Sequence, residues 1–445
     1  LIIDFLTPLQ IGLVSFPILI LMIFLRIPLA AAMFGVGLVG MYLVEGNMRA
    51  IDAALRAFTF STFTNYSLSI IPLFLLMSEF AIRGGMSAAL FRAAEAWLGH
   101  WRGGLAMSAI GASAGFGAVC GSSLATASSM GQVALPELKR AGYSNALATG
   151  ALAAGGTLGI LIPPSIVLVV YAILAEENIE KLFTAAFIPG ILAMIGYMIT
   201  VAIYTRMVPG SGNPSPRTAY VQRWRALRAI WPVMLIFGLV IGGIYTGAFS
   251  PTAAGAVGAA GTGLIAYASG GLDWSGLRQS LLNTGKTAAM IFFIILAAGV
   301  FNSFLASAKL PQTLASVFLE TGASPWLILI GMLLFYLVLG TVMDSLAMIF
   351  LTVPIFVPII TQLDFGIPPS EVGIWFGILV LMSAEIGLIT PPVGMNLFVI
   401  NAMSKGVGIG ETYRGALPFV MSDIVRIGLL VAFPAITMSL VRLFY

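Results

Sequence analysis

The chain has 445 residues, of which 59% are hydrophobic and only 9% charged, where a soluble domain carries about 25% charged residues. With a mean hydropathy of +1.04 it is an integral membrane protein, and no stretch is long enough to fold as a separate soluble domain. One cysteine, Cys120, and one histidine, His100, exclude an intrachain disulfide and a His/Cys metal cluster and argue against Ser-His catalysis, and the net charge of +4 marks cytoplasmic loops rather than a nucleic-acid partner.

Apolar runs approaching the roughly 20 residues of a spanning helix begin with Leu9–Leu25. Residue 1 is Leu rather than Met, and no polar region with a cleavage site points to a removed signal peptide. Met86–Trp101 sets Leu90, Ala94, Trp97 and Trp101 on one side, away from Arg92 and Glu95, and reads as an interfacial amphipathic helix. GSSLATASSMG (121–131) then places five hydroxyls in eleven residues, between Arg102 and the pair Lys139-Arg140. GGTLGILIPPS (155–165) is a small-residue helix interrupted at Pro-Pro, since proline removes a backbone donor and disfavours helix in the residue before it. Ile188–Tyr204 leads to a basic linker holding Arg206, Arg217, Arg223, Arg225 and Arg228. Beyond it lie Met234–Phe249, Ala288–Leu305, GTVMDSLAM (340–348), SAEIGLITPPV (383–393) and Gly428–Leu440. Trp224, Trp231, Trp326 and Trp375 fall near expected span ends and read as interface anchors.

These motifs repeat. The proline pairs at 163 and 391 are offset by 228, Pro189 and Pro418 by 229, and Ser122 and Asp344 by 222. Three matches in one order, at nearly one spacing, indicate a duplication. The linker is the densest basic stretch and is expected in the cytoplasm, which puts both ends of the first hydroxyl-rich segment on that side. Its counterpart lies between ETGASPW (320–326) and LDFGIPPSE (363–371), neither of which holds Lys or Arg, so both of its ends are expected outside. A segment that starts and ends on one side, at about 35 to 40 residues, is too short for two spans and a loop, and reads as a re-entrant hairpin shielded by protein or a watery cavity. The expected fold is an all-α polytopic membrane protein of two inverted repeats, residues 1–205 and 229–445 joined by the linker 206–228, each with a hairpin and a proline-broken helix. Both chain termini are then extracytoplasmic, a placement that Arg49 and Arg56 oppose.

Breaks at membrane depth expose backbone carbonyls and N–H groups, and inverted-repeat transporters place coupling ions and substrate there. The hydroxyls of Ser122 and Ser123, with carbonyls near Gly155, Thr157 and Gly159, make one candidate sodium site. Thr341, Asp344 and Ser345, with carbonyls near Gly387 to Thr390, make the second. A carboxylate such as Asp344 at the bilayer centre costs about 2.5 to 3.5 kcal/mol and calls for a partner, which a cation supplies. Ser122, Thr126 and Ser129, at i, i+4 and i+7, fit a helix-packing face as well; the matched second copy favours ligand binding. Glu385 reads two ways, as part of the second break or as a hydrogen-bond partner of a hairpin backbone. Asn396 and Asn401 read as caps for freed carbonyls, with substrate contact by one of them as the alternative.

GSSLATASSMGQVALPELKRAGY, GTLGILIPPSIVLVVYA, MDSLAMIFLTVPIFVPI and GLITPPVGMNLFVI, in that order and over nearly the whole chain, resemble the large membrane subunit of TRAP transporters, the tripartite ATP-independent periplasmic family. The resemblance implies sodium-driven import of an organic acid, a carboxylate or sialic acid, across the bacterial inner membrane by an elevator motion. It also implies two partners, a periplasmic substrate-binding protein and a small four-helix membrane subunit, here expected on a separate polypeptide. It places the sodium ions on the two tip-and-break pairs and the substrate near Ser123, Thr126, Ser165 and Asn396. Two departures are Cys120, where the family often has Ser, and Arg26, where a small residue is usual; Arg26 reads as an anchor at a span end rather than a substrate contact.

The rival readings are a stand-alone sodium/dicarboxylate symporter, a membrane-embedded hydrolase using Asp344 with Ser345, and a passive channel. A hydrolase lacks a histidine or lysine base beside either tip, and two opposed hairpins suit alternating access better than a pore.

Overall fold

The computed structural model describes residues 6–320 and 322–445; residues 1–5 and Thr321, which falls in the ETGASPW stretch, lie outside the described residues. Among the described residues there are twenty-one α-helices and no strand. Thr7 caps α1 (Pro8–Phe24) and exchanges hydrogen bonds with Gln10 in a capping box. α2 (Leu29–Glu45) stops at Gly46, whose φ of 70° is the left-handed ending glycine supplies most readily. α3 (Met48–Thr64) starts from Asn47, which accepts from the Ala50 N–H. A 3₁₀ turn, Tyr66–Ser69, feeds α4 (Ile70–Arg83), followed by α5 (Met86–Leu98), α6 (Gly104–Cys120), α7 (Ser123–Arg140), α8 (Asn145–Leu161) and α9 (Ile166–Leu174). Then come α10 (Ile179–Met207), α11 (Tyr220–Ala229), α12 (Trp231–Tyr245), α13 (Pro251–Ala268), α14 (Trp274–Ser307), α15 (Leu310–Glu320) and α16 (Pro325–Gly340). The last five are α17 (Ser345–Ile360), α18 (Pro369–Leu388), α19 (Met395–Met403), α20 (Ile409–Ala432) and α21 (Pro434–Phe444).

Among the described residues five helical stretches, Tyr66–Arg83, α10, α14, α18 and α20, are long and apolar enough to cross a membrane, and up to seven spans result if the bent pairs α8/α9 (46°) and α11/α12 (47°) each count as one. The 1–205 and 229–445 halves each carry a long helix with an internal proline, Pro189 in α10 and Pro418 in α20. Two expectations need correction. The run Gly428–Leu440 is not one helix, because Pro434 ends α20 and starts α21. Proline cannot donate to the carbonyl four residues back, and the Trp375 indole N–H bonds that Leu430 carbonyl instead, at 3.1 Å. Trp375 is therefore no interface anchor: it is fully buried in α18.

The linker is shorter than its charge suggests, since α10 runs to Met207 and α11 begins at Tyr220. Its backbone is pinned: the Gly103 N–H bonds the Gly212 carbonyl at 3.3 Å and the Ser144 N–H bonds the Ser211 carbonyl at 3.0 Å. Gly103 precedes α6 and Ser144 follows α7, so the α6–α7 pair starts and ends against the same polar segment. α5 buries Met86, Leu90, Phe91, Ala93 and Ala96, a face that shares only Leu90 with the one expected, while Trp101 lies past its end and is exposed. Trp97 of α5 meets Trp224 of α11 edge to face, at 5.9 Å between ring centroids.

The packing divides into two compact units. One comprises the described residues up to 69 with 285–332 and 349–373, and its core is aromatic, with Phe16 edge-on to Phe301 and Phe301 against Phe304. The other comprises 70–284, 333–348 and 374–445, and it contains both helix breaks and both tips.

Candidate cation and substrate site

The first tip follows from one glycine and one serine. α6 closes at Gly121, whose φ of 65° ends the helix while its N–H still bonds the Gly117 carbonyl at 2.8 Å. Ser122 is extended, and its hydroxyl caps α7 by accepting the Ala125 N–H at 3.5 Å. In the second tip Asp344 does the same for α17, its Oδ1 accepting the Ala347 N–H at 2.9 Å. Ser122 and Asp344, the pair aligned by the repeat, are thus both N-caps, and Ser123 and Ser345 are both the first residues of the helices that follow.

Each break sits on its own tip. α8 ends before Pro163-Pro164, a cis bond, and Ser165 caps α9 by accepting the Leu168 N–H at 3.3 Å. α18 ends before the cis bond Pro391-Pro392, and α19 starts after Gly394, whose N–H bonds the Thr341 carbonyl at 3.1 Å. Gly159 in the first break lies against Gly117, and a Cβ there would fall 2.5 Å from Thr126 Oγ1 and 2.7 Å from the Ser122 carbonyl oxygen. Gly387 in the second break lies against Gly340, whose backbone a Cβ would strike. Both crossings bring backbone to backbone, as small residues permit between membrane helices.

The structure brings Ser122, Thr126 and Gly159 together, with Ser165 beside Gly121. Gly155 shares the Gly159 face of α8 but meets Ser113 of α6, while Thr157, half a turn round, has its hydroxyl 3.0 Å from that of Tyr197 in α10. In the second copy Thr341 and Thr390 bond the carbonyls of Val338 and Ile386, at 2.8 Å and 2.6 Å, within their own helices. Asn396, fully buried, donates to the Ala153 carbonyl at 3.3 Å and so carries α19 of the second half onto α8 of the first. Asn401 accepts from Thr412 at 2.9 Å.

Glu385 bonds neither hairpin backbone: it accepts from Ser123 at 2.8 Å and from Ser345 at 3.3 Å. Sequence reasoning missed a second buried polar chain. Tyr197 donates to Asp423 at 2.7 Å, Asp423 pairs with Arg426 at 2.8 Å, and the Arg426 guanidinium lies 5.5 Å from the Tyr197 ring centroid. Two ionisable residues three apart inside an apolar run were the signal that could have found it. Tyr413, also missed, bonds the carbonyls of Pro392 and Val393 at the second break.

Chemically, the tips and breaks offer hydroxyl, carboxylate and carbonyl oxygens. Hard oxygen donors suit alkali and alkaline-earth cations, and among the described residues no group of three His, Cys, Asp or Glu could hold a transition metal. The N-terminal ends of α9 and α19 carry the partial positive charge that complements an anion, although the start of α9 is buried and capped by Ser165.

A family profile described as "Tripartite ATP-independent periplasmic transporter, DctM component" matches residues 16–436. The chain is 39% identical over 384 residues to the C4-dicarboxylate TRAP transporter large permease protein DctM of Pseudomonas aeruginosa, covering 86% of this chain and 87% of that protein. It is 32% identical over 383 residues to the sialic acid TRAP transporter large permease protein SiaM of Vibrio cholerae, covering 85% and 87%. The crystal structure of the Alcanivorax borkumensis YdaH transporter matches with a TM-score of 0.59 over 85% of this chain and 88% of that one; at 13% identity this is a likeness of fold alone.

Proposed function

This chain belongs to the DctM component family of tripartite ATP-independent periplasmic transporters, multi-pass inner-membrane permeases rather than enzymes, and from that premise we propose that it imports an organic acid by sodium symport. The acid is of the C4-dicarboxylate or sialic acid type carried by the relatives. A periplasmic binding protein delivers it, a small membrane subunit packs on this chain, and the tip-bearing elements move as an elevator. Sodium ions take the oxygens of Ser122, Ser123, Gly155, Thr157 and Gly159 at the first tip and break. At the second they take those of Thr341, Asp344, Ser345, Gly387 and Thr390. Ser123, Thr126, Ser165 and Asn396 contact the substrate, with the N-terminal ends of α9 and α19 facing its carboxylate. Gly155 and Thr157 contribute backbone carbonyls, since the Thr157 side chain is engaged with Tyr197.

The observation that carries this reading is the duplication of tip and break inside one compact unit, each glycine-seated on its own hairpin. The test is uptake of labelled dicarboxylates and sialic acid into proteoliposomes holding this chain and its small subunit, with and without a sodium gradient and the binding protein. Uptake of unmodified substrate that needs both is expected. Sodium-driven uptake without the binding protein would make the chain a stand-alone symporter, and uptake indifferent to sodium would remove both cation sites.

A further inference from the structure

Glu385 is fully buried near the C-terminal end of α18, and its two carboxylate oxygens are divided between the halves of the molecule. Ser123, first residue of α7, donates to Oε2, and Ser345, first residue of α17, donates to Oε1. A buried carboxylate is costly unless hydrogen-bonded, and bonds to a charged acceptor are the strong ones. Each serine oxygen owns one hydrogen and two acceptor lone pairs. With the hydrogen given to Glu385, both lone pairs of both tip hydroxyls are left for a cation. A neutral amide reverses this at one tip: a glutamine can accept from one serine but must donate to the other, whose lone pair then turns inward.

We propose that Glu385 is the positioning residue that couples the two cation sites, holding Ser123 and Ser345 as ligands through one shared counter-charge so that the sites fill interdependently. The inference rests on the sodium reading above and adds to it a physical link between the repeats. Two ions near one carboxylate in a low-dielectric interior cannot bind independently, and by linkage the influence is reciprocal. Loss of either serine bond frees the carboxylate to shift and so weakens the other tip as well.

Sodium-dependent thermal stabilisation of the purified full chain reads this without transport. Ser123→Ala and Ser345→Ala are each expected to raise the half-saturating sodium concentration by about tenfold, the lower end of the scale of one hydrogen bond to a charged group. Because both act through Glu385, the double variant should fall short of the product of the singles by at least about threefold. Glu385→Gln, which keeps the side-chain length, should raise the midpoint by about tenfold or more. Ser123 and Ser345 effects that multiply independently, or a Glu385→Gln midpoint equal to that of the unaltered chain, would overturn the coupling. The serine cycle stands alone if Glu385→Gln does not fold. If the unaltered chain shows no sodium response, the coupling falls together with the sodium symport reading; if it responds and the cycle is additive, the coupling falls alone.

Discussion

Asp344 has two separable jobs, since its Oδ1 caps α17 and its charge faces a candidate cation. Asparagine caps as well as aspartate, whereas alanine does not. Asp344→Asn should therefore leave the melting temperature of the purified chain nearly unchanged and raise the sodium requirement for uptake more than about tenfold, the scale of a charged hydrogen-bonding ligand. Asp344→Ala should lose about 1 kcal/mol of stability in addition. The Asp423–Arg426 pair calls for a different outcome. Removing one partner of a buried ion pair strands the other, so Arg426→Ala should destabilise by about 3–5 kcal/mol, and Asp423→Asn in the same chain should restore part of that in a thermal melt. Individual tip residues were legible because hydroxyls and a carboxylate stand out in an apolar run and recur at one offset, whereas the capping roles of Ser122 and Asp344 were not read. The partners of Glu385 were not, because one lies 262 residues away and nothing local announces it.

At the scale of elements, proline pairs and glycines announced the broken helices, and the structure shows a break at each pair. Gly428–Leu440 misled because hydropathy reads through a proline that the backbone does not. The glycine crossings make a direct prediction: Gly159→Ala and Gly387→Ala should each destabilise by about 1–3 kcal/mol or more, measured as lower yield and melting temperature, because backbone cannot move aside as a side-chain end can. A pH effect belongs to α5. Burial, and after it the Glu137 carboxylate, hold the Glu95 carboxyl above its ordinary range. Its charged form is the disfavoured one in the fold, so its contribution is lost as pH rises through the carboxylate range. Glu95→Gln should raise the melting temperature most near about pH 8, and the gain should shrink as pH falls toward about 4.

For the whole molecule, the count of sites sets the electrical cost of transport. Two sodium ions with a divalent anion move no net charge, whereas with a singly charged acid they move one, which gains about 2.3 kcal/mol per 100 mV. Dicarboxylate uptake should then ignore an imposed inside-negative potential, while sialic acid accumulation should rise by up to roughly fiftyfold at 100 mV. A potential-dependent dicarboxylate flux would require a third ion. The molecular class was plain from composition and the duplication from spacing, but the compact units each draw on three separate chain segments, and no sequence pattern reports which segments share a core.

The Glu385 bridge also bears on how the protein is made. Ser123 leaves the ribosome 262 residues before its acceptor, a delay of roughly 13–50 s at 5–20 residues per second. Throughout that interval the first hairpin is in or near the bilayer with its tip hydroxyl unmatched by the carboxylate it will serve. Ser345 waits for only 40 residues. The nascent first half thus needs another shelter for that polar group during insertion, until Glu385 has been made.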